Sequence, residues 1–98
     1  LPVGDWLLQW RAKADNLDGP RGLVWRLRCL PGDRILADSE AMLGRFDWRD
    51  LELAFTVPPE CSGQTLTLTI PARIEAETQI DGALWLDEVR IQPAPLLP

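Results

Sequence analysis

The chain has 98 residues, a formal charge of −5 and no histidine. This length allows one domain with a thin core, because such a chain buries only about 60 to 65% of the surface that it exposes when unfolded. Nucleic acid is not expected as a partner, since it attracts clusters of Lys and Arg rather than an acidic chain. Membrane insertion is not expected either, because no apolar run approaches the roughly 20 residues that span a bilayer.

Alternation of apolar and polar side chains dominates the first third of the sequence and predicts strands with one buried face. Trp6 to Ala14 forms the first such segment and ends in turn-forming residues between Asn16 and Pro20. Leu23 to Leu30 forms the second and ends at Pro31-Gly32-Asp33. We therefore expect two half-buried antiparallel strands here.

The middle of the chain continues with strands separated by one ambiguous stretch. A short return strand is predicted over 34–37, and 38–44 is interpreted as a loop with at most one helical turn. A long strand is predicted from about Arg49 to Val57, before Pro58-Pro59. Its inward side chains are predicted to be Leu51, Leu53, Phe55 and Val57.

The last third also alternates. Gln64 to Ile70 is predicted as a strand with threonines on its exposed face, and the alternation resumes in phase from Ile74 to Ile80. Asp81-Gly82 predicts a tight hairpin turn into a final strand over 82–91. Six or seven short strands without a helix of ten residues predict an all-β fold, an antiparallel β-sandwich.

Three stretches resemble a known family: residues 82–91 followed by Pro93 and Pro95, the tract 48–58, and the opening 1–10. Together they are similar to the jelly-roll, galactose-binding-like carbohydrate-binding modules that bind xylan and cellulose. The resemblance implies a jelly roll of which this chain carries only the later strands, as a C-terminal piece of a larger bacterial envelope or secreted protein. It thus implies a periplasmic, extracellular or cell-envelope location.

The expected domain organisation follows from this resemblance. Residues 1–92 are expected to form a single β-sandwich domain, and residues 93–98 a Pro-rich tail. A sandwich without its leading strands would leave backbone N–H and C=O groups unpaired along one sheet edge. A homodimer through this open edge is therefore expected.

The tryptophans are the first candidates for ligand binding, because sugar rings stack on indole faces. Trp6, Trp10, Trp25 and Trp85 lie in phase with aliphatic residues, and we interpret them as core. Trp48 lies where a loop meets a strand. We interpret it either as an exposed sugar platform or as a residue that closes the sandwich edge.

Arginine and glutamine side chains complete the predicted binding site. Arg26 and Arg28 either form cross-strand ion pairs or lie on a concave face, where their guanidinium groups bind sugar hydroxyls. In the second case Gln9 and Gln79 are their expected neighbours. The ligand-binding set is thus Trp48, Arg26, Arg28, Gln9 and Gln79.

Catalysis and cofactors are not expected. Asp87 and Glu88 are adjacent on a predicted strand, so they face opposite sides of the sheet and cannot act together on a glycosidic bond. The resemblance makes Asp87 a weak candidate for a structural calcium ligand. Because calcium needs about six to eight oxygen ligands, we expect no bound metal and no cofactor.

Cys29 and Cys61 are the two cysteines. They form either a disulfide or two partly buried thiols, because the sequence does not give the distance between them. Without histidine, two cysteines cannot complete a four-ligand zinc site. A disulfide would favour a periplasmic or extracellular compartment.

Two functions follow as expectations. The first is a noncatalytic carbohydrate-binding-like module that binds a polysaccharide through Trp and Arg side chains. The alternative is a protein interaction or assembly domain that has no sugar site and associates through an exposed sheet edge.

Overall fold

The computed structural model describes residues 1–94, and it is an all-β, antiparallel sandwich. The strands are β1 (Gly4–Asp18), β2 (Val24–Leu30), β3 (Arg34–Asp38), β4 (Gly44–Val57), β5 (Gly63–Thr69) and β6 (Asp81–Pro93). The first sheet has the order β4-β1-β6, and the second has the order β3-β2-β5. Among the described residues no helix is long and apolar enough to cross a membrane.

The core lies between the sheets and follows the predicted alternation. Leu8, Trp10, Ala12 and Ala14 of β1 are buried, and so are Leu27 and Cys29 of β2. Phe55 and Val57 of β4 are also buried, while Leu51, Leu53, Leu66 and Leu68 pack against this cluster. Trp10 and Trp25 meet edge to face across the sandwich, with ring centroids 6.4 Å apart. The prediction of these strands and their inward faces is confirmed.

The predicted strand over 74–80 is wrong. Residues Glu75–Glu77 form a turn of 3₁₀-helix instead, and Ile74 is 63% exposed. The carboxylate of Glu77 accepts hydrogen bonds from the backbone N–H of Arg73 at 2.8 Å and from the Arg21 side chain at 2.9 Å. These contacts fix the segment as a loop, and hydrophobic alternation does not encode them.

The predicted hairpin turn at Asp81-Gly82 is also wrong. Asp81 begins β6 and pairs with Asp18 of β1, which precedes it by most of the chain. Gly82 has a φ of 108°, and a Cβ there would overlap the backbone carbonyl of Asn16. The glycine is therefore needed for close approach to β1 rather than for a tight turn.

The start of β4 and the end of β6 differ from expectation. β4 begins at Gly44 rather than near Arg49, and the stretch before it is a loop with one bridge between Leu23 and Met42. β6 extends to Pro93, so this first residue of the predicted Pro-rich tail is in the sheet. Residues 95–98 of that tail lie outside the described residues.

A disulfide joins Cys29 of β2 to Cys61 in the loop before β5. The two Cα atoms are 5.4 Å apart, and both residues are buried. The bond ties the second sheet to the segment that leaves β4, across 32 residues of sequence. It thus constrains the connection between the two layers.

Removal of this disulfide should strongly destabilise the domain. In the chain-entropy model, a closed loop of this size contributes about 3 to 4 kcal/mol to the free energy of unfolding. Urea unfolding of the Cys29→Ala/Cys61→Ala protein should show a loss of this size, and reductant should have no effect on that variant. An unchanged free energy of unfolding in the double variant would contradict this role.

Acid should release the loop that Glu77 holds. The Arg73 N–H first, and then Arg21, lower the pKa of Glu77. A carboxyl group with a lowered folded-state pKa stabilises the fold above its unfolded-state pKa, and this contribution is lost as the pH falls through the folded value. In urea unfolding measured at a series of pH values, we expect the free energy of unfolding to decline below about pH 4. This decline should be shallower in Glu77→Gln. If the free energy of unfolding declined equally at low pH in the two proteins, this role for Glu77 would be excluded.

Candidate functional site

The outer face of the first sheet carries two exposed tryptophans. Trp48 of β4 is 40% exposed, and Trp85 of β6 is 46% exposed. Trp85 pairs with Lys13 of the central strand β1, and an irregularity in the β1–β4 register places Asp47 and Trp48 on the other side of Lys13. The two tryptophans therefore flank the same position of β1, two strand spacings or about 10 Å apart.

Cations from β1 lie against both indole rings. The guanidinium carbon of Arg11 is 5.5 Å from the centroid of Trp48, and the ammonium nitrogen of Lys13 is 5.6 Å from that of Trp85. Both distances allow cation–π attraction. These contacts orient the indoles. Two fifths or more of the surface of each tryptophan is still exposed to solvent, so surface is left for a ligand.

A polar depression lies on one side of this tryptophan pair. Its volume is about 440 Å³. The outward side chains that line it are Gln9, Arg11, Asp50, Glu52, Glu88 and Arg90. Gln9 accepts hydrogen bonds through its Oε1 from Arg90 at 3.1 Å and from Gln92 at 2.7 Å. The carboxylate, amide and guanidinium groups here supply hydrogen-bond acceptors and donors to a ligand in this depression.

A second depression lies on the other side, with a volume of about 470 Å³. It is lined by Lys13, Asp15, Arg45, Phe46, Asp47 and Trp85, together with Ala14. The two depressions therefore follow β1 from Gln9 to Asp15. At about 3.3 Å per residue, this length of strand is about 20 Å.

Charges on this face are nearly balanced. Four basic and five acidic side chains line the two depressions. Arg11 pairs with Asp50 at 3.2 Å, and Arg45 pairs with Asp15 at 2.7 Å. Among residues 1–94, no carboxylate oxygen lies within 4.0 Å of the side-chain nitrogens of Lys13 or Arg90. The face is thus polar but has little net charge.

A bulge in β6 shapes this surface. Asp87 pairs with Arg11 and Arg90 pairs with Gln9, so two residues of β6 lie opposite the single residue Trp10. Glu88 has a φ of 51°, and its N–H donates to the Asp87 carboxylate at 2.8 Å. The expectation that Asp87 and Glu88 face opposite sides of a regular strand is therefore wrong, because Glu88 lines the outer depression beside the Asp87–Arg11 pair.

Because of the same bulge, the interpretation of Trp85 as a core residue is wrong. A regular strand would place Trp85, Val89 and Ile91 on one face, as the sequence predicts. The additional residue reverses the phase, so Leu84 and Leu86 pack on the core and Trp85 points outward. The alternation of Leu84 and Leu86 is the sequence signal that identifies Trp85 as an outer-face residue.

The five predicted ligand-binding residues do not lie together. Trp48 and Gln9 are on the outer face of the first sheet, whereas Arg26 and Arg28 are on β2 of the second sheet. Arg26 binds both oxygens of Asp38, at 2.8 and 2.9 Å, and Arg28 donates to the Asp33 carbonyl at 3.0 Å. Gln79 lies elsewhere, beside Asp18, Gly19 and Pro20.

Arg26 and Arg28 have structural partners where they lie. The hydrogen bond from Arg26 lowers the pKa of Asp38, as expected for a carboxylate held by a guanidinium. The Arg26–Asp38 contact is the cross-strand pairing that the sequence offers as one of two interpretations, whereas Asp33, the partner of Arg28, lies in the turn between β2 and β3. Sequence reasoning did not assign Arg11, Lys13, Arg45 or Arg90 to the site, although the first two alternate with buried residues of β1.

No group of three or more His, Cys, Asp or Glu side chains in residues 1–94 is placed to hold a metal ion. Asp87, the weak calcium candidate, pairs across the sheet with Arg11.

A scan against family models, a search of curated proteins and a search of solved structures each find no match to this chain. The geometry of the outer face is therefore the basis for any functional assignment.

Proposed function

We propose that this domain is a noncatalytic carbohydrate-binding module that holds a polysaccharide on the outer face of the first sheet. The observation that carries the proposal is the pair of exposed indoles, Trp48 and Trp85, on either side of Lys13. Apolar faces of sugar rings stack on such indoles. Two platforms about 10 Å apart suit a chain of sugars better than a single sugar.

The polar groups around the indoles suit sugar hydroxyls. Each hydroxyl both donates and accepts a hydrogen bond, so it pairs with a carboxylate on one side and a guanidinium or amide on the other. Glu52, Glu88 and Arg90 supply such groups in the first depression, and Asp47 and Arg45 supply them in the second. A sugar chain that runs from one indole to the other would cross β1 at Lys13, with one depression on either side of it, so groups from both depressions could reach its hydroxyls.

The ligand is proposed to be neutral. Arg11 and Arg45 already have carboxylate partners, and the acidic side chains slightly outnumber the basic ones. An anionic chain would gain little from such a face, because its charges would meet both attraction and repulsion. Xylans of low charge and cellulose derivatives are the appropriate first probes.

Loss of either tryptophan should weaken binding. In affinity gels that contain soluble xylan or a cellulose derivative, Trp48→Ala and Trp85→Ala should each raise the dissociation constant about tenfold. Ile35→Ala is the matched control, because Ile35 is 44% exposed and lies on β3 of the second sheet. The control should bind as the parent protein does.

Two results would contradict the proposal. One is the absence of retardation on any neutral polysaccharide, which would favour the alternative of an assembly domain without a sugar site. The other is that both tryptophan variants are retarded in the gels as strongly as the parent protein, which would place the ligand elsewhere.

Binding should depend little on salt. Because the proposed contacts are stacking and hydrogen bonds to uncharged hydroxyls, raising sodium chloride from about 0.05 M to 0.5 M should change the dissociation constant less than about twofold. The measurement is isothermal titration with the best polysaccharide from the gels. A steep loss of affinity would instead assign the face to an anionic ligand held by Lys13 and Arg90.

A further inference from the structure

Among residues 1–94, the sandwich is closed on one side and open on the other. At the closed side, Cα atoms of β3 and β4 approach within 8 Å. At the opposite side no Cα of β5 lies within 8 Å of one of β6, over the full described length of both strands. Val89 and Ile91 alternate with the outward Arg90 and Gln92, so they face this opening, and they are 44% and 36% exposed.

Three of the four edge strands carry features that discourage pairing with another chain. β4 has charged residues and two register shifts, β6 has the bulge at Glu88, and β3 is only five residues long with Arg34 and Asp38 at its ends. Charges, bulges and short length are the usual devices that protect a sheet edge. These three edges are thus unsuited to strand addition.

β5 has none of these devices. Its sequence, Gly63–Thr69, contains no charged residue and no proline. Its register with β2 runs without a bulge from Val24 opposite Thr69 to Leu30 opposite Gly63. Near its start, the amino group of Leu1 donates to the Gln64 side chain at 2.6 Å. Among residues 1–94 no strand pairs with this edge, so alternate residues of β5 present backbone groups that the described part of the chain leaves unpaired.

The pattern of β5 complements itself. In an antiparallel pair centred on Thr67, Thr65 lies opposite Thr69 and Leu66 lies opposite Leu68 of the second copy. Thr–Thr pairs and aliphatic pairs both stabilise a sheet when they lie directly opposite. No charge of either sign enters the pairing, so no like-charge repulsion opposes it.

We propose that two copies of this chain pair through β5, with a two-fold axis that passes beside Thr67 at right angles to the sheets. The second sheets of the copies then join into one antiparallel sheet of six strands, β3-β2-β5 followed by its symmetry mate. The same rotation places the two open sides next to each other. Val89 and Ile91 of both copies therefore lose solvent contact, which adds apolar burial to the strand pairing.

This inference is independent of the proposed sugar site. The tryptophan pair lies on the outer face of the first sheet, and β5 is at an edge of the second. Dimerisation leaves both tryptophan faces accessible and gives each dimer two ligand faces. Failure of one proposal does not imply failure of the other.

The test uses charge at the two-fold axis. Thr67→Lys and Thr67→Glu each place two like charges opposite one another, so each should weaken the dimer at least about fivefold in sedimentation measured against concentration. Within a copy, residue 67 pairs with Arg26, which favours a glutamate there. Weakening in Thr67→Glu therefore cannot be assigned to repulsion from Arg26.

Mixing the two variants is the decisive measurement. Lys opposite Glu at the axis should restore dimers that contain one copy of each variant. Ala54→Lys, which adds the same charge to an exposed position on the β4 edge, is the control and should dimerise as the parent does. Circular dichroism of each variant checks that the fold is retained.

Three outcomes would overturn the proposal. A parent protein that stays monomeric over the whole concentration range would do so. So would a dimer that Thr67→Lys and Thr67→Glu leave unchanged, and so would a mixture of the two variants that contains only monomers.

Discussion

The strict alternation of β1 is the constraint on which the rest of the structure depends. Its inward residues Leu8, Trp10, Ala12 and Ala14 are all buried, and they form the central floor of the core. Its outward residues Gln9, Arg11 and Lys13 form the central row of the candidate site. Because side chains of a strand alternate between its faces, the packing that fixes the core also fixes the spacing of these polar groups. The candidate site therefore lies on the central strand, with a neighbouring strand on each side.

The bulge in β6 is the second determinant of the site. It carries Glu88 to the outer face and reverses the phase of the strand, so that Trp85 is outside while Val89 and Ile91 face the open side. One additional residue thus contributes to both surfaces, since it places Trp85 on the outer face and Val89 and Ile91 at the apolar opening. A bulge also protects the β6 edge, which leaves β5 as the unprotected edge on that side.

The sequence predicts the strands and most of the core because the signal for both is local. Alternation in 6–14, 49–57 and 64–70 gives the correct inward faces, since each segment contacts the core along its length. It fails where non-local contacts decide. Glu77 holds the 3₁₀ turn through Arg21, and Gly82 is required by the nearby carbonyl of Asn16. Of the predicted ligand-binding residues, Trp48 and Gln9 lie on the outer face of the first sheet, but Arg26 and Arg28 lie on the other sheet, because alternation within a strand does not say which sheet the strand joins.

The central claim is that the outer face of the first sheet recognises a neutral polysaccharide. Nuclear magnetic resonance of the indole N–H groups during titration with soluble xylan or a cellulose derivative tests it most directly, because the five tryptophans report on different places. We predict that the signals of Trp48 and Trp85 shift with ligand, while those of the core residues Trp10 and Trp25 stay in place. Shifts confined to the second sheet, or no shift with any neutral polysaccharide, would contradict the account.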